Sequence, residues 1–259
     1  LVISDECDAS QLGKTHWQVH LNTGSGFAAQ GVDWSLPPYP GTYPQPFVES
    51  TSNSVYCSGT DYYRPRYRVF DINGDRRPDL VISDECDPSD LGNTHWQVHL
   101  NTGGGFATQG VDWLLPPYLG SYPQPFIDSA SNSIYCSGTD YYRPRYRIFD
   151  IDGDRRPDLV ISDECGASEL GKTHWLVHRN TGAGFLAVST CYNLPAYPGS
   201  YPQPFVDTFS NLVYCSGTDY YRPRYRVFDI NADDKPDVVI SDECDATNLG
   251  KTHWQVFLQ

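Results

Sequence analysis

The stretch Asp71-Ile72-Asn73-Gly74-Asp75-Arg76-Arg77-Pro78-Asp79 carries side-chain oxygens at its first, third, fifth and ninth positions. A hard cation such as Ca²⁺ takes about six to eight oxygens from carboxylates, amides and backbone carbonyls. Because alternate residues of a tight loop can point inward together, the four side chains can converge on one ion. The predicted ligands are Asp71, Asn73, Asp75 and Asp79, with the carbonyl of Arg77 as a fifth. Gly74 permits the turn between them.

The nonapeptide occurs twice more. The second copy predicts as ligands Asp150, Asp152, Asp154, Asp158 and the carbonyl of Arg156. The third copy predicts Asp229, Asn231, Asp233, Asp237 and the carbonyl of Lys235. In the third copy Ala232 replaces the glycine, so we expect strain and weaker binding there if this position needs a positive φ. The motif lacks the length and the position-12 Glu of an EF-hand. A polar turn without metal is the alternative, but three copies of clustered carboxylates favour calcium.

The whole chain is a tandem repeat. Segments that resemble Leu1–Cys7 begin again at residues 80, 159 and 238, each 79 residues after the last. We therefore divide the chain into repeat units 1–79, 80–158 and 159–237 and a partial unit 238–259. Since the chain begins and ends inside the pattern, we expect it to be a window on a longer array or a processed fragment.

Charge and hydropathy exclude two classes of partner. The formal net charge of −14 argues against nucleic acid, whose phosphates attract Lys and Arg. No apolar run is long enough for a membrane-spanning helix, so we predict no membrane span. An excess of carboxylates suits a protein that binds cations.

Eight cysteines indicate an oxidising, extracellular compartment. Two alternatives remain open for their pairing. The favoured one joins cysteines 29 residues apart on either side of each metal loop, as Cys57–Cys86, Cys136–Cys165 and Cys215–Cys244. The other joins Cys7–Cys57, Cys86–Cys136 and Cys165–Cys215 and leaves Cys191 near Cys244. Cys191 replaces an aspartate of the other units, and its role is not explained by the repeat.

Short segments of alternating or β-branched character predict about four antiparallel strands in each unit. In the first unit these are residues 1–4, 15–22, 27–34 and 63–70, and the metal loop joins the last strand of one unit to the first of the next. No segment has a sustained helical period. We therefore predict an all-β fold of tandem β-propeller-like blades. An open, linearly stacked β-repeat fibre is the alternative.

A segment rich in proline and tyrosine interrupts each unit. Its three copies are residues 36–47, 115–126 and 194–205. Prolines cannot donate to a sheet ladder, so these segments are predicted to be extended rather than central strands. We expect them to lie over a neighbouring unit, with Tyr43, Tyr122 and Tyr201 buried between units.

The metal loop with its flanking strands resembles an FG-GAP/VCBS repeat. The resemblance rests on residues 70–81, followed by the strand at 95–101 and the Gly-rich turn Gly103-Gly104-Gly105-Phe106. It implies calcium-bearing propeller blades like those of integrin α-subunits, with the loop aspartates as ligands. It covers about the first 35 residues of each unit plus the strand before it, and it does not cover the Pro/Tyr segment. The glycine usual after the third ligand is Arg76, Arg155 or Asp234 here.

Aromatic and cationic residues recur together in every unit. The candidate ligand-binding residues are Trp34, Tyr63, Arg66, Trp113, Tyr142 and Arg145. The favoured interpretation is cation–π contact and packing between units. The alternative is a platform on which sugar rings stack, as in a lectin.

Catalysis has little support in the sequence. A catalytic triad needs one converged geometry, whereas the Ser-Asp and His residues recur in every unit. The histidine pair His16 and His20 lies on a predicted strand, where four residues span about 13 Å, too far for one metal. We predict a non-enzymatic, extracellular, calcium-binding repeat scaffold for adhesion or ligand binding. A filament subunit and a lectin are the alternatives, with neighbouring units, copies of the chain or glycans as partners.

Overall fold

The protein is described by a computed structural model. It describes residues 1–4, 11–38, 54–56, 63–65, 67–83, 91–92, 94–117, 133–135, 142–144, 146–162, 170–171, 173–196, 212–214, 221–223, 225–241 and 249–259, of which the three-residue segments at 54, 63, 133, 142, 212 and 221 are described by their backbone alone. These residues belong to two compact units, whose main segments are Leu1–Leu115 and Ala130–Gln259. From here on the first unit and the second unit mean these compact units, and the 79-residue units are called repeat units.

The first unit contains two meandering antiparallel sheets and a separate hairpin. The first sheet has the order β1 (Val2–Ile3), β2 (His16–Val19) and β3 (Val32–Ser35). The hairpin consists of β4 (Ser54–Tyr56) and β5 (Tyr63–Pro65). The second sheet has the order β6 (Tyr67–Phe70), β7 (Asp79–Ile82), β8 (His95–His99) and β9 (Val111–Leu114).

The second unit repeats this plan. A hairpin of β10 (Ser133–Tyr135) and β11 (Tyr142–Pro144) precedes the third sheet, with the order β12 (Tyr146–Phe149), β13 (Asp158–Ile161), β14 (His174–His178) and β15 (Thr190–Asn193). A second hairpin of β16 (Leu212–Tyr214) and β17 (Tyr221–Pro223) precedes the fourth sheet, with the order β18 (Tyr225–Phe228), β19 (Asp237–Ile240) and β20 (Gln255–Phe257).

The core follows from the sequence pattern of the strands. The second strand of each four-stranded sheet is buried at every residue, as its nearly continuous apolar sequence predicts. In the first unit the buried cluster joins Trp17 and Leu36 to Tyr67 and Leu80 of the second sheet and to Phe106, which lies in the connection between β8 and β9. In the second unit the corresponding cluster lies between the third and fourth sheets.

The prediction of an all-β fold built from repeated antiparallel units is confirmed, and the described residues contain no helix. The predicted link between metal loop and strands is also observed, because Phe70 pairs with Asp79 across it. The separate hairpins were not predicted: residues 63–70 form two strands, β5 and β6, rather than one. The strand predicted from Phe27 begins only at Val32, and Phe27 itself pairs with Asn22 in an isolated bridge.

Several predictions lie outside the described residues. These are the positions of Tyr43, Tyr122 and Tyr201, both disulfide pairings, and the side chains of Tyr63, Arg66, Tyr142 and Arg145. Of the Pro/Tyr segments only the first residues are described, and Leu36 packs in the core of the first unit. The described segments include no helix with the length and hydropathy of a membrane span.

Candidate metal centre

Each of the three predicted metal loops, residues 71–79, 150–158 and 229–237, is a tight turn that its own carboxylates hold together. In the first loop Asp71 Oδ1 accepts hydrogen bonds from the backbone N–H groups of Gly74 and Asp75, at 2.8 and 3.1 Å. Its other oxygen accepts one from Arg76 N–H at 2.7 Å. Asp75 Oδ1 accepts a hydrogen bond from Arg77 N–H at 2.8 Å. The first predicted ligand is therefore also the residue that folds the loop around itself.

The backbone confirms that the fourth position needs a positive φ. Gly74 and Gly153 have φ of 83° and 81°, and Ala232 takes the same conformation at 63°. The sixth position is also left-handed, with φ of 70° at Arg76 and 71° at Arg155. A side chain in this region is strained, so the loop geometry is maintained against a local cost at the sixth position.

The ninth position is anchored from a distant part of the chain. Asp79 is fully buried, and its two oxygens accept hydrogen bonds from Ile72 N–H at 3.3 Å and Asn101 N–H at 2.8 Å. Asp158 repeats this arrangement with Ile151 at 3.2 Å and Asn180 at 2.7 Å. The asparagines were not among the predicted site residues, although an Asn-Thr-Gly sequence after the third strand marks them.

Burial of these carboxyl groups changes their acidity. Desolvation raises the pKa of Asp79 to about 6, and the backbone N–H donors of Asn101 and Ile72 oppose the rise. Desolvation likewise raises the pKa of Asp158 to about 6, with a smaller contribution from the charges of Asp152 and Asp154. An ionised carboxylate at either position is therefore costly unless a cation is near.

The second loop has the geometry of a cation site. Carboxylate oxygens of Asp150, Asp152 and Asp158 lie within 4.8 Å of one another. Oxygens bound to one Ca²⁺ at about 2.3–2.6 Å lie at most about 5 Å apart, so these three can share an ion. The donor set is oxygen only, which suits a hard cation. Asp150, Asp152 and Asp158 would hold the ion, whose charge would offset the repulsion among them.

Two arginines offset part of the acidic charge of the second loop. Arg179 donates to Asp152 Oδ2 at 2.6 Å, and Arg156 forms an ion pair with Asp154. The side chain of Arg179 is half exposed, so this pair is worth little in water. Arg179 replaces a leucine of the other repeat units and was not predicted as part of the site.

The third loop is more open than the other two. Ile151 is buried beneath the second loop, whereas the equivalent Ile230 is 38% exposed. Asn231 Nδ2 donates to Asp233 Oδ2 at 3.0 Å, so two predicted ligands contact each other. Asp237 is buried and accepts hydrogen bonds from Ile230 N–H and Gln259 N–H at 3.1 and 3.0 Å. The carbonyls of Arg77, Arg156 and Lys235 remain predicted ligands.

The two tryptophans among the predicted ligand-binding residues are partly or fully buried. The rings of Trp34 and Phe106 meet edge to face at 6.3 Å, and Trp113 is only 2% exposed. Cys191 lies in β15 with its thiol exposed and free.

Comparison with known proteins gives distant structural likeness only. No protein-family model matches the chain, and no curated protein sequence matches it. It is similar in structure to a chain of the Photorhabdus luminescens Tc holotoxin pore, with 17% identity, a TM-score of 0.43 and coverage of 94% of this chain and 8% of that one. It is also similar to a chain in the TcdB2-TccC3-Cdc42 complex, with 15% identity, a TM-score of 0.37 and coverage of 97% and 8%. The protein thus spans 8% of the length of either chain.

Proposed function

We propose that the protein is a non-enzymatic, calcium-binding repeat scaffold that works outside the cell in adhesion or ligand binding. The carboxylate group of Asp150, Asp152 and Asp158 carries the proposal, because its oxygens lie close enough to share one ion. The buried, poorly solvated Asp158 adds a reason for a cation, since its pKa is raised to about 6. The resemblance of all three loops to FG-GAP/VCBS repeats agrees with calcium.

The extracellular part of the proposal rests on composition. Eight cysteines in a chain of this size favour an oxidising compartment. Extracellular calcium is abundant enough to occupy sites of modest affinity. Calcium would then maintain the loops that connect consecutive strands, and so maintain the scaffold itself.

Asp158→Asn tests the proposal. The amide keeps the shape of the side chain and removes the buried charge. We expect calcium to raise the melting temperature of the unmodified chain, because an ion that binds only the folded state stabilises it by mass action. The variant should lose the part of this rise that belongs to the second loop.

Asp112→Asn is the matched control. Asp112 is an aspartate of β9 outside the loops, and its side chain is 66% exposed. Its variant should respond to calcium as the unmodified chain does. Identical melting curves in calcium and in EDTA for the unmodified chain would refute the calcium proposal.

A filament subunit is the second candidate, favoured by how consecutive sheets pack. Within the first unit the two sheets share one core, so a repeat buries its face on its neighbour. Electron micrographs that show single particles at high concentration would exclude this candidate. We do not extend the proposal to a lectin, because Trp34 contacts Phe106 and Trp113 is buried.

A further inference from the structure

Three positions beside the second metal loop differ from their equivalents in the second sheet. The differences are Asp152 for Asn73, Arg179 for Leu100 and Tyr192 for Trp113. The third metal loop also has asparagine at the first of these positions, and the first sheet has leucine and tryptophan at the other two. The three changes thus occur together in the third sheet.

The three changed side chains lie close to one another. Arg179 Nη1 donates to Asp152 Oδ2 at 2.6 Å, from 27 residues away in the sequence. Desolvation raises the pKa of the Tyr192 hydroxyl, the charge of Arg179 opposes the rise, and the charge of Asp152 adds to it. The phenol is therefore near enough to both charges to interact with them. Changes that occur together and lie together indicate one replaced interaction rather than three independent substitutions.

Both oxygens of Asp152 accept hydrogen bonds. Oδ1 accepts one from Asp154 N–H at 3.3 Å, as Asn73 Oδ1 does from Asp75 N–H at 3.0 Å. Oδ2 is the oxygen that an asparagine lacks, and Arg179 donates to it. A carboxylate oxygen can accept more than one partner, but a guanidinium and a divalent cation on the same carboxylate repel each other.

Arg179 also offsets the extra charge of the second loop. That loop has four carboxylates at its predicted ligand positions, whereas the first loop has three carboxylates and an amide. The side chain of Asp152 is only 17% exposed, so water and salt screen its charge incompletely. The affinity of a calcium loop depends on the number of its charged ligands. Without Arg179, the fourth carboxylate would therefore bind the ion more tightly and, in the absence of the ion, repel the other three more strongly.

We propose that Arg179 regulates the second metal loop as a built-in counter-ion, which occupies Asp152 when calcium is absent and lowers the affinity of the loop for calcium. This inference rests on the calcium binding proposed above. The side chain of Arg179 is 51% exposed, so the guanidinium can move into water when an ion takes the carboxylate. The second loop consequently depends less on calcium for its stability than its four carboxylates alone would require.

The amides of Gly74 and Gly153 report on the first and second loops in one sample. Each donates to the first aspartate of its own loop at 2.8 Å. The full chain, labelled with ¹⁵N-glycine, is titrated with calcium, and the half-saturation concentration is read at each amide. The two signals are assigned by their loss in Gly74→Ala and in Gly153→Ala.

Arg179→Leu supplies the leucine of the other sheets. It should lower the half-saturation concentration at Gly153 about three- to fivefold, the size expected for a partly exposed ion pair, and leave that at Gly74 unchanged. Arg179→Lys keeps the charge and should stay within about twofold of the unmodified chain. Lys251→Leu removes the same charge from an exposed side chain of the second unit and should change neither amide.

Asp152→Asn completes a double-mutant cycle. In this variant the carboxylate that holds Arg179 beside the loop is gone, so adding Arg179→Leu should change the half-saturation concentration at Gly153 less than about twofold. Melting curves of the same four chains in EDTA give a readout that needs no calcium. There Arg179→Leu should lower the melting temperature more when residue 152 is aspartate than when it is asparagine.

The first loop allows the converse test. Asn73→Asp adds the fourth carboxylate there and should lower the half-saturation concentration at Gly74. Adding Leu100→Arg supplies the counter-ion and should return this concentration towards that of the unmodified chain.

The possible results separate the role of Arg179 from calcium binding itself. The absence of a calcium-dependent shift at both glycines would overturn both proposals. Saturable shifts in the unmodified chain, with a half-saturation concentration at Gly153 that Arg179→Leu leaves unchanged or raises, would overturn the role of Arg179 alone. Circular dichroism confirms the folding of each variant.

Discussion

Replacing Ala232 with glycine should stabilise the third loop. Ala232 is held at φ 63°, in the region that Gly74 and Gly153 occupy in the other loops. A left-handed conformation costs an L-residue about 1–2 kcal/mol, which glycine does not incur. The unfolded chain gains entropy from glycine, which offsets about 0.5–1 kcal/mol of this. The net expectation is a free energy of unfolding higher by about 0.5–1 kcal/mol.

Thermal unfolding in EDTA measures the effect. A gain of this size should raise the melting temperature by about 1–4 °C for a chain of this length. The relaxed loop should also bind calcium more tightly, because its backbone no longer resists the bound geometry. Calorimetric titration of Ala232→Gly and of the unmodified chain with calcium measures this difference in affinity.

Two further substitutions make the test specific. Ala183→Gly introduces the same change in an exposed turn without a positive φ, and should lower stability by about 0.5–1 kcal/mol. Gly153→Ala reverses the favoured change in the second loop, where the new Cβ would also come 3.0 Å from the carbonyl oxygen of Asp234. Gly153→Ala should therefore lower the free energy of unfolding by more than Ala232→Gly raises it. If Ala232→Gly destabilises the chain as Ala183→Gly does, the strain argument is wrong.

Three other predictions concern pH, packing and disulfides. The pKa of Asp79 and of Asp158 in the folded state, about 6, exceeds the ordinary 3.8, so the folded state holds these protons more tightly than the unfolded chain does. In EDTA the two groups should therefore make the free energy of unfolding fall as pH rises from about 4 to about 6. A melting temperature that rises across that window would contradict the raised pKa of these carboxyl groups. Phe106→Ala should lower the free energy of unfolding by about 3–5 kcal/mol in a denaturant titration, and Phe27→Ala, at the equivalent exposed position, by much less. Equal losses would show that Phe106 does not stabilise the core of the first unit. Non-reducing peptide mapping should recover Cys57 linked to Cys86 rather than to Cys7, and free thiols at all of these positions would refute the extracellular proposal.

The fold class and the loops could be predicted because they depend on local spacing. Oxygen-bearing residues at alternate positions, with glycine between them, specify a turn whatever surrounds it. The 79-residue repeat then placed that turn between consecutive strands in every unit. The expected strain at Ala232 likewise followed from comparison of equivalent positions, and the φ of 63° agrees with it.

What could not be predicted depends on contacts distant in sequence. Asn101 donates to Asp79 from 22 residues away, and Arg179 reaches Asp152 from 27 residues away. Neither contact follows from the local pattern of the loop. The left-handed backbone conformation of Arg76 could not be predicted either, because it is uncommon for arginine. The hydrogen bond from Arg76 N–H to Asp71 favours it here. The separate hairpins escaped prediction since their strands are only three residues long.

The central claim is that the aspartate loops bind calcium. Equilibrium dialysis of the chain, freed of metal with EDTA and then returned to buffered calcium, measures it directly. We predict saturable binding that approaches one ion for each of the three loops, with the third loop the first to lose its ion on dilution of calcium. Asp158→Asn should bind one ion fewer, and Asp112→Asn the full number. A chain that retains no calcium above the buffer concentration, while its circular dichroism shows it folded, would contradict the account.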